Sequence, residues 1–285
     1  MRVIVFGATG VLGRELVPLL LRQGHTVVAP VRSPEKARAL ADAGVELHTG
    51  DLLSPETQAQ LPELMAGCQA AVHIATAIPR DFGAPGAWEA NTRLRTDGTQ
   101  ALLDAALAAG VERYVQQSIV MAYVDGGDRL LDESTLLDTS PERASVCRPV
   151  IEMEGMVRAV PPERLAWCIL RGGSFQGPGT AQDGTIERLR AGTERVPCDG
   201  NYYISPVHPA DMASAVALAL DHAPGGSIFN VNDEPIRQGD YLDRLAALVG
   251  VPLPERDPSR PCPPSFRCSS AAAREVLGWA PSHSI

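Results

Sequence analysis

Residues 2–16 read RVIVFGATGVLGREL. A β-branched apolar run passes through glycines at 7, 10 and 13 and then takes on a helical period. A strand that feeds a helix through so short a turn must pack that helix back onto a sheet. The same texture recurs at HTVVAPV (25–31), VELHTG (45–50), QAAVHIAT (69–76), RYVQQSI (113–119) and LAWCIL (165–170). These runs are apolar without alternation, as in parallel strands covered on both faces. Helical patterns fill the gaps, among them VLGRELVPLLLRQG, ended by Gly24, and TDGTQALLDAALAAG, ended by Gly110. Strand and helix in regular alternation predict an α/β protein with a doubly wound parallel sheet.

The texture changes after residue 171. GGSFQGPGTAQDG reads as a loop, ADMASAVALALDHA as a helix and SIFNVND as a strand. QGDYLDRLAALVG is a further helix, a proline-rich stretch covers 252–264, and SSAAAREVLGW closes the pattern. The expected organisation is a Rossmann-type domain over 1–170 and a smaller substrate lobe over 171–285, interleaved with the last Rossmann helix and strand at about 205–232. A chain of 285 residues buries enough surface to need no covalent staples.

Glycines at 7, 10 and 13 between a strand and a helix predict a dinucleotide site. Gly7 makes the tight turn, Gly10 lets backbone approach a pyrophosphate, and Gly13 lets helix and strand pack closely. The helix N-terminus then offers N–H groups to the negative charge. No acid follows between Leu16 and Pro34, where one would bond an adenosine ribose. Arg32, Ser33 and Lys36 stand there instead, and the Arg32 fork and Lys36 charge suit a 2′-phosphate. The expected cofactor is NADP(H) rather than NAD(H). Asp51, in TGDL, either contacts the adenine edge or caps the helix near Pro55. Small residues at Ala75, Thr76 and Ala77 leave room for a cofactor against backbone. The full expected cofactor set is Gly7, Thr9, Gly10, Val11, Leu12, Gly13, Arg32, Lys36, Asp51, Leu52, Ala75, Thr76, Ala77 and Ser118.

Composition narrows the partners. A net charge of −9 argues against nucleic acid and anionic membranes. No apolar run reaches the roughly 18 residues of a membrane helix, and MRVIVF is too short for a signal segment. A cytoplasmic protein with a small-molecule substrate is expected, and a homodimer stays open. The six cysteines are scattered without a C-x-x-C pair, which predicts free thiols and no zinc site. There is no G-x-S-x-G elbow and no metal-ligand spacing.

GATGVLG (7–13), GDL (50–52), HIAT (73–76), GTQALLDAALAAGVERYV (98–115), QSIVMAY (117–123), LRGGSFQGPG (170–179), VHPADMASAVALAL (207–220) and LGWAP (277–281) run in order along the chain. In these residues it resembles the extended and atypical short-chain dehydrogenase/reductases, the epimerase/dehydratase-like branch. That resemblance implies a Tyr-x-x-x-Lys pair on the helix after the fifth strand, where Tyr handles a proton and Lys lowers its pKa and holds the nicotinamide ribose. The corresponding stretch is ASVCRPVIEMEGMVRA (144–159). With Glu154 aligned to the glutamate that follows the pair, the two positions fall on Val146 and Val150. No register restores the pair, because the chain has a single lysine, Lys36. The resemblance also implies two small hydroxyl residues before a Tyr; here Tyr123 is preceded by Ser118 and Ile119.

Other residues are left to do the chemistry. Tyr123 follows the fifth strand and is either the proton donor or a core tyrosine. Ser118 either binds a substrate oxygen or closes the strand end. Arg95 either polarises a carbonyl or binds a carboxylate, or is a solvated helix residue. Cys147 and Glu154 share a helix face with Val150 and Ile151; a nucleophile and a base are weighed there against structural roles. His208 and Asp211 read as structural. The expected function is an NADPH-dependent oxidoreductase of a small carbonyl or enone with a non-standard proton donor. Two alternatives are a non-redox NADP(H)-binding sensor and an isomerase or lyase on the same scaffold.

Overall fold

A computed structural model describes residues 1–79 and 84–283. Its central sheet has seven strands: β1 (Arg2–Phe6), β2 (Thr26–Val31), β3 (Glu46–Thr49), β4 (Ala70–His73), β5 (Arg113–Ile119), β6 (Ala166–Gly172) and β7 (Ser227–Val231). Their spatial order is β7-β6-β5-β4-β1-β2-β3. Phe6 stands opposite His73, Val31 opposite Thr49 and His73 opposite Gln116, all in parallel register. The strand order reverses at β1, which has β2 on one side and β4 on the other. A crevice opens at such a reversal, beyond the carboxyl ends of the strands, and ligands of open α/β sheets bind there.

The helices are α1 (Val11–Arg22), α2 (Arg38–Asp42), α3 (Pro55–Met65), α4 (Glu89–Arg93), α5 (Thr99–Ala109), α6 (Ala144–Ala159), α7 (Ala181–Arg190), α8 (Pro209–His222), α9 (Gln238–Val249) and α10 (Ala271–Leu277). Ser54 caps α3 by accepting the Thr57 N–H at 3.2 Å, with Pro55 in the first turn. Between α4 and α5 the residues Leu94–Gly98 are wound as a π-helix. Such widened turns are rare and recur at functional sites.

The chain forms two compact units. The first comprises residues 1–118, 139–170 and 213–228, and the second 119–138, 171–212 and 229–285. Residues 213–228 return to the first unit, and 119–138 belong to the second. That segment is held by bonds to residues far along the chain: Gly126 N–H to Ser265 O at 3.0 Å and Leu131 N–H to Arg267 O at 2.7 Å. The core of the first unit gathers Phe6, Leu61, Met65, Leu102, Tyr114, Trp167 and Ile169. In the second unit, Leu189, Val196, Tyr241 and Leu245 form one cluster, and Val120, Tyr123, Leu131 and Phe266 another. Cys198 and Cys262 are joined in a disulfide, so the expectation of six free thiols is corrected. The pair lies 64 residues apart, and no local spacing announces it. Among the described residues no helix is long and apolar enough to cross a membrane.

Candidate functional site

The glycine turn after β1 is shaped by backbone contacts that admit no side chain. Gly7 has φ +102°, and a Cβ on it would lie 2.7 Å from the Ala75 nitrogen. A Cβ on Gly13 would lie 2.3 Å from the Gly7 carbonyl oxygen. The Gly10 N–H closes the turn onto the Gly7 carbonyl at 3.0 Å. Gly10 is also the cap residue of α1: no side chain caps that helix and no acid lies in its first turn. The first-turn N–H groups, led by those of Val11, Leu12 and Gly13, are therefore left for an anion. A pyrophosphate fits this cradle. Thr9 is exposed beside it, and its carbonyl accepts from Arg14 Nε at 3.3 Å.

The other expected contacts follow the carboxyl ends of β2, β3 and β4. Arg32 and Lys36 are exposed just past β2 and make no hydrogen bond or ion pair among the described residues. Asp51 accepts the Leu53 N–H at 3.0 Å, while Ser54 does the capping of α3. That decides against Asp51 as the helix cap. Leu52 is buried in the core, where a Cβ on Gly98 would meet it at 3.1 Å. Ala75, Thr76 and Ala77 follow β4, and the Ala77 N–H is held by Asn91 Oδ1 at 3.1 Å. Asn91 is buried and was not foreseen from sequence; nothing in ANTR distinguishes it from a surface asparagine.

A second group of polar residues lies deeper in the same unit. Ser118, at the end of β5, donates its hydroxyl to Glu154 Oε1 at 2.6 Å, and both residues are buried. Glu154 comes from α6, whose buried face also carries Cys147, Val150, Met153 and Val157. Arg95 projects from the π-helical turn, is 6% exposed, and donates from Nη1 to Met153 Sδ at 3.6 Å. Burial lowers its pKa to about 10, against which the charge of Glu154 acts. His73, at the end of β4, meets Gln116 Oε1 through Nδ1 at 3.1 Å, and its Nε2 has no partner among the described residues. Burial lowers its pKa to about 4, with the Arg95 charge adding to the effect, so its imidazole is neutral.

A family profile described as NAD(P)H-binding matches residues 7–223. The chain is 36% identical over 308 residues to a 3-diazoavenalumate denitrifying reductase of a Streptomyces species, covering 99% of this chain and 97% of the relative. The chain belongs to this NAD(P)H-binding family. A second relative is the 4-hydroxy-2-methyl-3-oxo-4-farnesyl-3,4-dihydroquinoline-1-oxide ketoreductase of Stigmatella aurantiaca, 29% identical over 261 residues, with 88% of this chain and 74% of the relative covered. Among solved structures, a UDP-glucuronic acid 4-epimerase from Bacillus cereus, bound to UDP-glucuronic acid and NAD, has a TM-score of 0.84 at 18% identity, covering 100% of this chain and 95% of that one. That likeness speaks for the fold alone.

Helix α6 carries neither tyrosine nor lysine. Tyr123 belongs to the second unit and is fully buried there. Its hydroxyl donates to Asn230 Oδ1 at 2.8 Å and accepts from Arg171 Nη1 at 2.8 Å. The Arg171 guanidinium also sits 5.0 Å over the Tyr123 ring. Burial pushes the phenol pKa well above its ordinary value, against which Arg171 acts. Ser118 and Tyr123 are five residues apart, yet they take part in separate polar networks.

His208 and Asp211 act within the second unit. Asp211 accepts from the Ser282 hydroxyl at 2.7 Å and pairs with His283 Nδ1 at 2.9 Å. His208 stacks on His283 with ring centroids 4.2 Å apart. Together they fasten residues 282 and 283.

Proposed function

We propose that the chain is an NADPH-preferring oxidoreductase of a small organic electrophile whose reduction does not rely on a tyrosine acid. The glycine cradle and the uncapped α1 support the dinucleotide, with Arg32 and Lys36 as unpaired cations suited to a 2′-phosphate. The observation that carries the proposal is the buried face of α6, where Glu154 is the one charged residue. Cys147, Val150, Met153 and Val157 are buried there, and no phenol or ammonium accompanies them. Tyr123, weighed above as the donor, has its hydroxyl enclosed by Asn230 and Arg171, and we read it as structural. When bound, NADPH supplies a hydride; an arenediazonium carbon that takes it loses dinitrogen, so a C–H bond replaces a C–N bond with no proton delivered. Reductive removal of a diazo group, as in the name of the Streptomyces relative, therefore suits a site without a tyrosine acid.

A carbonyl or enone substrate is the second reading, favoured by the Ser118–Glu154 pair. A carbonyl oxygen needs a proton as it is reduced, and a buried carboxyl linked to a hydroxyl can relay one. The ketoreductase from Stigmatella aurantiaca is in keeping with it.

The deciding experiment mixes the protein with NADPH and either an ortho-hydroxyarenediazonium acid or 4-hydroxybenzaldehyde. NADPH oxidation above the protein-free rate, with one dinitrogen released per NADPH, supports the first reading. Oxidation with the aldehyde alone supports the second. Tight NADPH binding without turnover of either, or of a wider carbonyl panel, sinks both and leaves the sensor role.

A further inference from the structure

The Arg95 guanidinium has five N–H donors and a permanent charge, and a buried charge ordinarily meets a counter-ion. Arg95 is 6% exposed, and among the described residues its one hydrogen bond goes to the Met153 thioether at 3.6 Å. A thioether is a weak acceptor. Among the described residues Glu154 is the one carboxyl whose charge registers on Arg95; no ion pair joins the two, and Glu154 Oε1 receives the Ser118 hydroxyl. His73 is neutral and supplies no negative charge. The guanidinium is thus held in a desolvated setting with most of its donors unused. The π-helical turn Leu94–Gly98 delivers it there, and Gly98 lets the turn lie against Leu52.

The cofactor's own charges have other receptors. The glycine turn and α1 N-terminus suit the pyrophosphate, and Arg32 and Lys36 suit a 2′-phosphate. Arg95 is bonded to α6 instead, beside the residue that holds Ser118. We propose that Arg95 receives an anionic oxygen of the substrate, so that the substrate class is an organic acid presenting a carboxylate or a phenolate to a buried guanidinium. The proposal deepens the oxidoreductase reading and rests on it for the word substrate. The fork geometry of the guanidinium suits two oxygens of a carboxylate, and a phenolate takes one arm of it.

The test reads binding without turnover. The protein saturated with NADP⁺ is titrated with 4-hydroxycinnamate, its methyl ester and 4-methoxycinnamate by calorimetry, for the wild type, Arg95→Met and Arg95→Lys. The acid is expected to bind the wild type, and Arg95→Met to weaken it by roughly ten- to a hundredfold, as for loss of a charged hydrogen bond. NADPH affinity should stay unchanged, which also reports that the variant is folded. Arg95→Lys should fall between. A deficit confined to the ester assigns the carboxylate, and one confined to the methyl ether assigns the phenolate. The proposal is overturned if the wild type binds none of the three, if it binds all three equally, or if Arg95→Met binds the acid as well as the wild type. Failure of the oxidoreductase reading would show separately, as an absence of NADPH oxidation.

Discussion

Replacing Gly13 by alanine tests the cradle where its geometry is tightest. A Cβ there would lie 2.3 Å from the Gly7 carbonyl oxygen and 2.4 Å from the Ala8 carbonyl carbon and oxygen. Carbon contacts settle near 3.5 Å, so α1 and the turn must part by roughly 1 Å. Every atom in the way is backbone, and no rotamer change relieves the clash. Overpacking of this kind costs about 1–3 kcal/mol. Alanine's helix propensity returns about 1 kcal/mol, leaving a net loss of up to about 2 kcal/mol. The displacement also moves the first-turn N–H groups of α1 away from the Gly7 turn, so NADPH affinity should fall by at least roughly tenfold. Gly155 in α6 is the control, because a Cβ there meets no atom within 4 Å. Gly155→Ala should gain about 0.5–1 kcal/mol and leave NADPH binding alone. Denaturant midpoints and fluorescence titration of NADPH measure both. Unchanged midpoint and affinity in Gly13→Ala, or an equal loss in Gly155→Ala, would refute the reasoning.

Three other outcomes are expected. Tyr123→Phe strips a partner from Asn230 Oδ1 and Arg171 Nη1, and should cost about 1–3 kcal/mol of stability while turnover changes less than about twofold; a large fall in turnover at unchanged stability would restore Tyr123 as the donor. Arg32→Ser combined with Lys36→Ser should raise the NADPH dissociation constant by at least about tenfold and leave that of NADH in place, and added salt should shrink the difference. His73 titrates near 4 in the folded chain against 6.5 for the free imidazole. The unfolded chain then binds more protons between those values, so stability is complete above pH 6.5 and is lost toward pH 4, by about 3 kcal/mol. Denaturant midpoints across that range should show the fall in the wild type and a flatter profile in His73→Gln.

What was legible in the sequence is what local pattern controls. Unbroken apolar runs announced the sheet, and the spacing of Gly7, Gly10 and Gly13 announced the turn, because a strand, a tight turn and a helix are written within 15 consecutive residues. The cap of α3 is Ser54, three residues after Asp51, and the sequence pattern alone does not separate them, since both side chains can accept a backbone N–H. The rest depends on partners distant in the chain. Ser118 and Glu154 are 36 residues apart, and Tyr123 and Asn230 are 107 apart. Tyr123 therefore stays open in the sequence between proton donor and core tyrosine, and the bonds from Asn230 and Arg171 mark it as core. The grouping of 119–138 with the second unit follows the same rule, since its bonds reach Ser265 and Arg267.

The chemistry left to the first unit differs in kind from that of a tyrosine acid. Arg95 holds its proton with a pKa of about 10, about three units above neutral pH. It therefore offers a standing positive charge and no proton at neutral pH. Ser118 directs its hydroxyl toward Glu154, so it presents lone pairs to any other neighbour. A fixed cation beside a hydroxyl tied to a carboxyl stabilises negative charge on a bound molecule better than it quenches negative charge by protonation. A hydride acceptor that ends with a departing neutral molecule needs no proton from such a site, whereas a carbonyl, which ends as an alkoxide, would draw its proton, on the second reading proposed above, through Ser118 and Glu154. The two substrate readings thus separate at one residue. Glu154→Gln removes the relay and keeps a hydrogen-bond acceptor for Ser118. It should slow carbonyl reduction by roughly a hundredfold and leave reductive loss of dinitrogen nearly untouched.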